Sequence, residues 1–379
     1  MTTARYIDIH LLHTVPFANL NRDDLGSPKT VIYGGAERTR VSSQCWKRAT
    51  RLQIEDVLDN HAVRTRRLAT GVIERLLERG FDKDLATAGA VQILAAIGKG
   101  LKMEPKDNTT SVLLYLPRSA FDDLADLVAE HRGAVAGEAG KKKPATVLPV
   151  NRVTALMSSR NATINLFGRM LAELPGAEVD GAVQVAHAFT THGTQVEVDF
   201  FTAVDDLNTA DDRGSGHMNS GEFAAGVFYR YACVDVATLT GNLDGDLTTA
   251  RELSDHFLNA FLASLPTGKR TATAPNTLPE LAYVAVRSDR PVSLAGAFEA
   301  PVRLEGGAGY AAPSGVALAD YASRIHTLWS GDGTILHGYA GIQEKTLDGL
   351  GDRRSSYREL ITDAVAAAFP ASGQAESSR

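Results

Sequence analysis

Seven cations, Arg22, Lys29, Arg38, Arg40, Lys47, Arg48 and Arg51, fall between Asn21 and Arg51 against three acids, Asp23, Asp24 and Glu37. The chemistry open to such a cluster is neutralisation of phosphates. Local charge is +4 in a chain whose formal net charge is -6, so the remainder sums to -10 and the basicity is confined to one stripe. A protein that holds nucleic acid indiscriminately is basic throughout a domain; one stripe on an acidic chain marks a particular surface.

The spacing says what must position that stripe. Thr30 to Tyr33 and Ala36 to Val41 are short β-prone runs around Gly34-Gly35, the dipeptide that most readily supplies the positive φ angles of a tight hairpin turn. Strand alternation then places Arg38 and Arg40 on one face. Ser42 and Ser43 are natural helix caps. Beyond them Gln44, Lys47, Arg48 and Arg51 recur at i, i+3, i+4 and i+7, while Cys45, Ala49 and Leu52 fall on a separate apolar face. The free amides of the first turn and the positive end of the helix dipole are expected to add to an anion site. The bland alternative is a solvated helix face with surface ion pairs; two arginines on the preceding strand favour phosphate.

Other constellations are weaker. His187 and His192 stand five apart, which fits neither a zinc helix nor a zinc finger, and structural roles are expected for both. Asp205, Asp206, Asp211 and Asp212 lack the spaced acids of a calcium loop and read as a solvated tip, so no metal is assigned. Tyr229, Arg230 and Tyr231 interleave base-stacking and phosphate-binding types, yet Val227, Tyr229 and Tyr231 share one strand face and suit core packing. The rival enzyme class would be a metal-dependent ribonuclease using His187, His192 and the aspartates, or an acid-base nuclease using His10 and His13. No spacing here matches such a constellation, so no catalytic residue and no cofactor are assigned. Cys45 and Cys233 have no C-x-x-C partner and read as free thiols.

At 379 residues the chain exceeds one ordinary core. Tyr6 to Leu12 alternates as a strand with Ile7, Ile9 and Leu11 on its inner face. From about Asp56 to Leu127 the pattern turns helical, clearest from Glu55 to Gly80. Residues 133 to 145, with the lysine triplet Lys141 to Lys143 and Pro144, read as a surface loop. Strands return at Gln195 to Val204, Glu222 to Val236 and Leu281 to Val286. Together these give an α+β class in which a helical insertion interrupts a strand-rich core. The start lacks a charged-then-apolar leader and no run is long enough to span a bilayer, so a cytoplasmic protein with no membrane partner is expected.

The chain also resembles a known family, the backbone subunit of the type I-E CRISPR Cascade complex (CasC). The residues that carry the resemblance are IDIHLL near the N-terminus, NRDD from Asn21, the run from Gly34 to Ala49, GRM at Gly168 to Met170, DGAVQVAHAFTTH from Asp180, DFFTAVDDL from Asp199, and GSGHM followed by EFAAGVFYRYA up to Ala232. The resemblance implies a palm of RNA-recognition (ferredoxin-like) fold, with its first part at 1–57 and its second at 181–365. It also implies helical fingers at 58–180 and a hairpin thumb at about 193–221; the Ser/Gln/Glu-rich composition of the last residues, by contrast, gives a disordered tail at 366–379. The resemblance implies a noncatalytic scaffold that polymerises head to tail along the spacer of a CRISPR RNA, beside other Cascade subunits. The guide would then be presented to a target DNA strand in antiviral defence. Arg22, Lys29, Arg38, Arg40, Ser42, Gln44, Lys47, Arg48 and Arg51 match the family's guide-backbone site. Met170, Phe201 and Thr202 match positions that wedge beside a displaced base.

Overall fold

The computed structural model describes residues 3–98, 103–104, 109–141, 143–172, 174–203, 217–304, 309–329 and 333–370. Two compact units divide the chain, one of Met1–Gln53, Val183–Thr240 and Asp246–Arg379, the other of Ile54–Ala182 and Gly241–Gly245. The class is α+β.

In chain order the first unit begins with strands β1 (Tyr6–Ala18), β2 (Thr30–Tyr33) and β3 (Ala36–Val41) and helix α1 (Ser43–Leu58), which carries the boundary. The second unit then supplies β4 (Ala62–Thr65), α2 (Leu68–Glu78), α3 (Lys83–Ile97), β5 (Met103–Glu104) and β6 (Thr109–Thr110). It continues with β7 (Leu114–Pro117), α4 (Ser119–Glu130), α5 (Arg132–Glu138), α6 (Val150–Met157) and α7 (Ala162–Phe167). The chain returns to the first unit through β8 (Val183–Val185), β9 (Ala188–Thr190), β10 (Glu197–Ala203), β11 (His217–Asp235) and α8 (Val236–Asn242). After these come α9 (Leu247–Ala263), α10 (Arg270–Thr273), β12 (Leu281–Arg287), α11 (Ala311–Leu328), β13 (Thr334–Gly341), β14 (Asp352–Arg353) and α12 (Tyr357–Ala368).

The first unit is built on one sheet of order β14-β13-β12-β1-β11-β9-β3-β2, with β8 and β10 also pairing β11. Strand β1 lies in its middle, antiparallel to both β11 and β12. Alternation predicts one inner face for it, but the structure buries both: Ile7, Ile9 and Leu11 on one side, Asp8, His10 and Leu12 on the other. Polar groups inside must be hydrogen-bonded. Asp8 accepts from Arg287 at 3.0 Å, from the Tyr231 hydroxyl at 2.8 Å and from the Val292 amide at 3.0 Å. The Tyr229 hydroxyl accepts from the Leu294 amide and is hydrogen-bonded to His10 Nδ1, both at 2.9 Å. Val227, Tyr229, Tyr231 and Cys233 join Tyr283, Phe298 and Leu318 in the core on this face.

The second unit packs α2, α3 and α4 around Val72, Leu76, Ile93, Leu124 and Val128. Two expectations for this region are corrected. Ala62–Thr65 lies within the stretch read as an amphipathic helix, yet it is a strand, because Ala62 through Thr65 pair with Pro117 through Leu114. Residues 132–138, read largely as loop, form α5 with Val135 fully buried in the apolar cluster, and Lys141 pairs with Glu138 at 2.7 Å. At the other end of the chain α12 runs through Ala368, so a disordered tail cannot start at 366: Ala364, Val365 and Ala368 are buried against the fold. Among the described residues no helix is long and apolar enough to cross a membrane. Asp205, Asp206, Asp211 and Asp212 lie outside the described residues.

Candidate nucleic-acid interface

The basic segment folds as a hairpin that feeds a helix. Gly34 and Gly35 have φ of 59° and 72°, the paired positive values of a type I′ turn. Gly34 is fixed for a second reason: a Cβ there would stand 1.6 Å from the Glu299 carbonyl oxygen. Strands β2 and β3 pair from Thr30↔Thr39 to Tyr33↔Ala36, and β3 continues the sheet through Arg40↔Phe189 on β9.

Where β3 ends, side chains take over the hydrogen bonds that strand and helix leave open. The Ser42 amide donates to Asn21 Oδ1 at 2.8 Å, and Ser42 Oγ accepts from the Cys45 amide at 3.3 Å. The Ser43 amide donates to His187 Nδ1 at 3.2 Å. Ser42 is therefore the helix cap, 9 % exposed, with its hydroxyl oxygen accepting from the backbone. Of the first-turn amides expected to be available, that of Ser43 is taken by His187 and that of Cys45 by Ser42.

Helix α1 buries Trp46, Thr50 and Ile54. The face predicted to be apolar, Cys45, Ala49 and Leu52, is only half-buried, one step around the helix. The cause lies on β11. The Arg230 guanidinium sits 3.7 Å over the Trp46 ring and 4.6 Å over Phe261, donating to the Phe261 carbonyl and to His13 Nδ1. Stacking a cation between two rings in a dry site locks the helix rotation. Arg230 is thus a core residue, 1 % exposed, and no phosphate ligand.

On the outer face Gln44 and Arg48 are exposed and Lys47 and Arg51 half-buried. Arg22 is exposed, and Lys29 and Arg40 are half-buried beside them. Backbone bonds tie these together: the Lys29 amide donates to Asn21 O at 3.0 Å and the Arg40 amide to Lys29 O at 2.8 Å. Their fields overlap. Burial pushes the Cys45 thiol pKa up while Arg48 and Lys29 pull it down. Burial, Arg40 and Lys29 all hold His187 below its usual value, in keeping with its accepting from the Ser43 amide.

Arg38 is the chief correction. It shares a strand face with Arg40 but is fully buried, because residues 294–299 cover it. Its guanidinium donates to the carbonyls of Thr190, Phe298 and Glu299 at 2.8, 3.1 and 3.4 Å. It fastens the hairpin and has no surface to offer a phosphate.

Met170 stands in the second unit at the end of a built turn. Gly168 has φ of 77°, and a Cβ there would meet the Val179 carbonyl oxygen at 2.7 Å. Arg169, 4 % exposed, bonds the carbonyls of Ala177, Ser158 and Ser159 at 2.9, 2.8 and 2.7 Å. Glycine makes the bend, arginine locks it, and Met170 is left 88 % exposed. In the first unit β10 and β11 form a two-stranded extension with Phe201↔Asn219 and Thr202↔Met218. Every residue of β10 is exposed, Phe200 at 72 % and Phe201 at 47 %.

The histidines considered for catalysis are structural in their surroundings. His10 and His13 are buried, and desolvation pushes both pKa values down to about 3. His192 stacks on Tyr310 at 3.6 Å, and its Nε2 accepts from the Val227 amide at 3.2 Å. Among the described residues no three His, Cys, Asp or Glu side chains are grouped to hold a metal ion. What sequence reasoning missed is His187 as partner of the α1 N-terminus and Arg230 beneath Trp46; both depend on contacts between α1 and segments far along the chain.

A family model described as CT1975-like protein matches residues 7–364. No curated protein matches. Among solved structures, a chain of "CRISPR RNA-guided surveillance complex, pre-nicking" is 55 % identical, with 96 % of this chain and 100 % of that one covered and a TM-score of 0.91. A chain of "CRISPR RNA-guided surveillance complex" is 47 % identical, with 96 % and 99 % covered and a TM-score of 0.80. A match that runs from the first residues of the central strand into the last helix leaves the assignment plain: the chain belongs to the CT1975-like protein family.

Proposed function

We propose that this protein is a noncatalytic RNA-binding scaffold subunit of a CRISPR RNA-guided surveillance complex. The observation that carries the reading is the outward basic stripe on an acidic chain, set on a fold shared over nearly its whole length with chains of such complexes. On this reading the sheet-bearing unit is the palm, the helical unit the fingers and the β10–β11 extension the thumb of a type I-E backbone subunit.

Gln44, Lys47, Arg48 and Arg51, with Arg22, Lys29 and Arg40, hold the guide's phosphates. Contacts of this kind fix register without reading bases. Sequence is read by pairing between guide and target DNA. Copies associate head to tail through a heterologous interface whose rotation does not close, so that the RNA sets the length. Met170, Phe201 and Thr202 wedge beside displaced bases at a regular interval, the exposed apolar side chains offsetting part of the unstacking cost.

The acid-base form of the nuclease alternative has less to stand on, since His10 and His13 are buried; the aspartates of the metal-dependent form lie outside the described residues. The test is to mix purified protein with single-stranded RNAs of graded length, with and without magnesium or manganese, and weigh the complexes. Copies per RNA should rise in steps with length and the RNA stay intact. One copy at every length would contradict the filament, and metal-dependent cleavage would contradict the scaffold.

A further inference from the structure

The proposed phosphate contacts leave a neighbouring cavity unused. Val31, Ile32, Tyr33, Arg40, His187 and Phe189 line an open cavity of about 600 Å³, within the range of roughly 300–1,000 Å³ that receives small organic groups. Its walls are apolar and aromatic. Val31 and Ile32 are exposed on β2, the edge strand of the sheet. Tyr33 and Phe189 meet edge to face at 5.1 Å, and Phe189 rests on Tyr229 at 5.9 Å. The Tyr33 hydroxyl is held by the Ala295 carbonyl at 3.3 Å.

One side of the cavity carries a cation. Arg40 belongs both to the lining and to the basic stripe, and His187 reaches from the lining to the Ser43 amide at the foot of α1. Lys29 stands close enough for its charge to act on His187. An aromatic-walled pocket opening at phosphate-binding cations suits an unstacked base whose own phosphate lies on the rim.

We propose, resting on the RNA-binding reading above, that this pocket receives one unstacked nucleobase of the bound RNA. Any of the four bases is accepted. The Tyr33 hydroxyl proton and His187 Nδ1 are already committed within the chain, and every base offers a face to Phe189 and Tyr33. The pocket is distinct from Met170, Phe201 and Thr202, which displace bases but form no part of this lining. Arg40 in the lining, with Lys29 beside it, favours RNA over the apolar hairpin of a second copy as the occupant.

The test uses the full chain bound to single-stranded RNA carrying 4-thiouridine throughout, irradiated and mapped by mass spectrometry. Crosslinked uridine is expected on the peptides holding Tyr33 or Phe189. Phe189→Ala should remove it and weaken binding by roughly tenfold for every RNA sequence. Ile32→Ser, at a position already exposed, should lower both readouts without touching the fold. RNA bound with an ordinary salt dependence but uncrosslinked at these strands would overturn the pocket and leave the RNA reading standing. A photoreactive benzoylphenylalanine at position 32 that captures a second copy instead of RNA would also overturn it. Absence of RNA binding altogether would sink both.

Discussion

Arg48 and Arg38 carry the same guanidinium within one basic segment, and replacing each by alanine should give opposite results. Arg48 is exposed on α1, so Arg48→Ala should leave the fold intact and remove one phosphate contact. If, as proposed, Arg22, Lys29, Arg40, Lys47, Arg48 and Arg51 all contact RNA, six phosphate contacts follow. At about -0.7 per contact on a single strand, the slope of log affinity against log salt should be roughly -4 for the native protein. For Arg48→Ala it should be about -3.5. Between 50 and 200 mM salt the native protein should then lose roughly 300-fold in affinity and the variant roughly 100-fold.

Arg38→Ala leaves the Thr190 and Phe298 carbonyls without their donor and opens the space beneath residues 294–299. Each buried unpaired group costs about 1–3 kcal/mol. The variant should melt several degrees lower while its folded fraction keeps the native salt slope. Fluorescence anisotropy over a salt series, with thermal melts of the same preparations, reads both. An unchanged slope for Arg48→Ala, or a flattened slope at native stability for Arg38→Ala, would refute the division of the segment into a gripping and a fastening part.

Trp46→Ala should cost about 3–5 kcal/mol, because it empties the space over Arg230 and leaves that buried cation with one ring; denaturant titration checks it. Gly34→Ala forces a side chain into the Glu299 carbonyl at a positive φ, so a lower denaturation midpoint is expected, and a neutral result would mean the turn can be rebuilt. His10 and His13 are held neutral with pKa near 3 against about 6.5 when unfolded. The unfolded chain therefore binds more protons in that window, and stability should be full above pH 6.5 and fall by about 1.4 kcal/mol per pH unit for each histidine below it; denaturant midpoints from pH 7 to 5 read this. If Met170, Phe201 and Thr202 wedge beside displaced bases, guide-target mismatches there should be tolerated at regular intervals outside the seed, and a flat mismatch profile of DNA affinity would argue against them.

What was legible in the sequence was local. Gly34-Gly35 announced the hairpin because only positive φ closes so short a turn, and period 3.6 put Gln44, Lys47, Arg48 and Arg51 together because helix geometry alone decides that. What was illegible was tertiary. Arg38 and Arg40 are equivalent by strand period; the buried guanidinium of Arg38 is held by Thr190, Phe298 and Glu299, more than 150 positions away. The rotation of α1 was read one step off because Trp46 is drawn under by Arg230 on β11. Ala62–Thr65 looks helical in its charge pattern, yet it is a strand by virtue of its partner at Leu114–Pro117. The short run before α5's end reads as loop from its glycines, but burial of Val135 overrides that preference.

The central claim, a scaffold assembled on a guide RNA, is tested most directly by purifying the protein with its natural partners, digesting with nuclease and sizing what survives. A single protected RNA species of discrete length, accompanied by several copies of this chain, is the predicted result. Recovery of the chain as a single copy without RNA, or with fragments of random length, would contradict it.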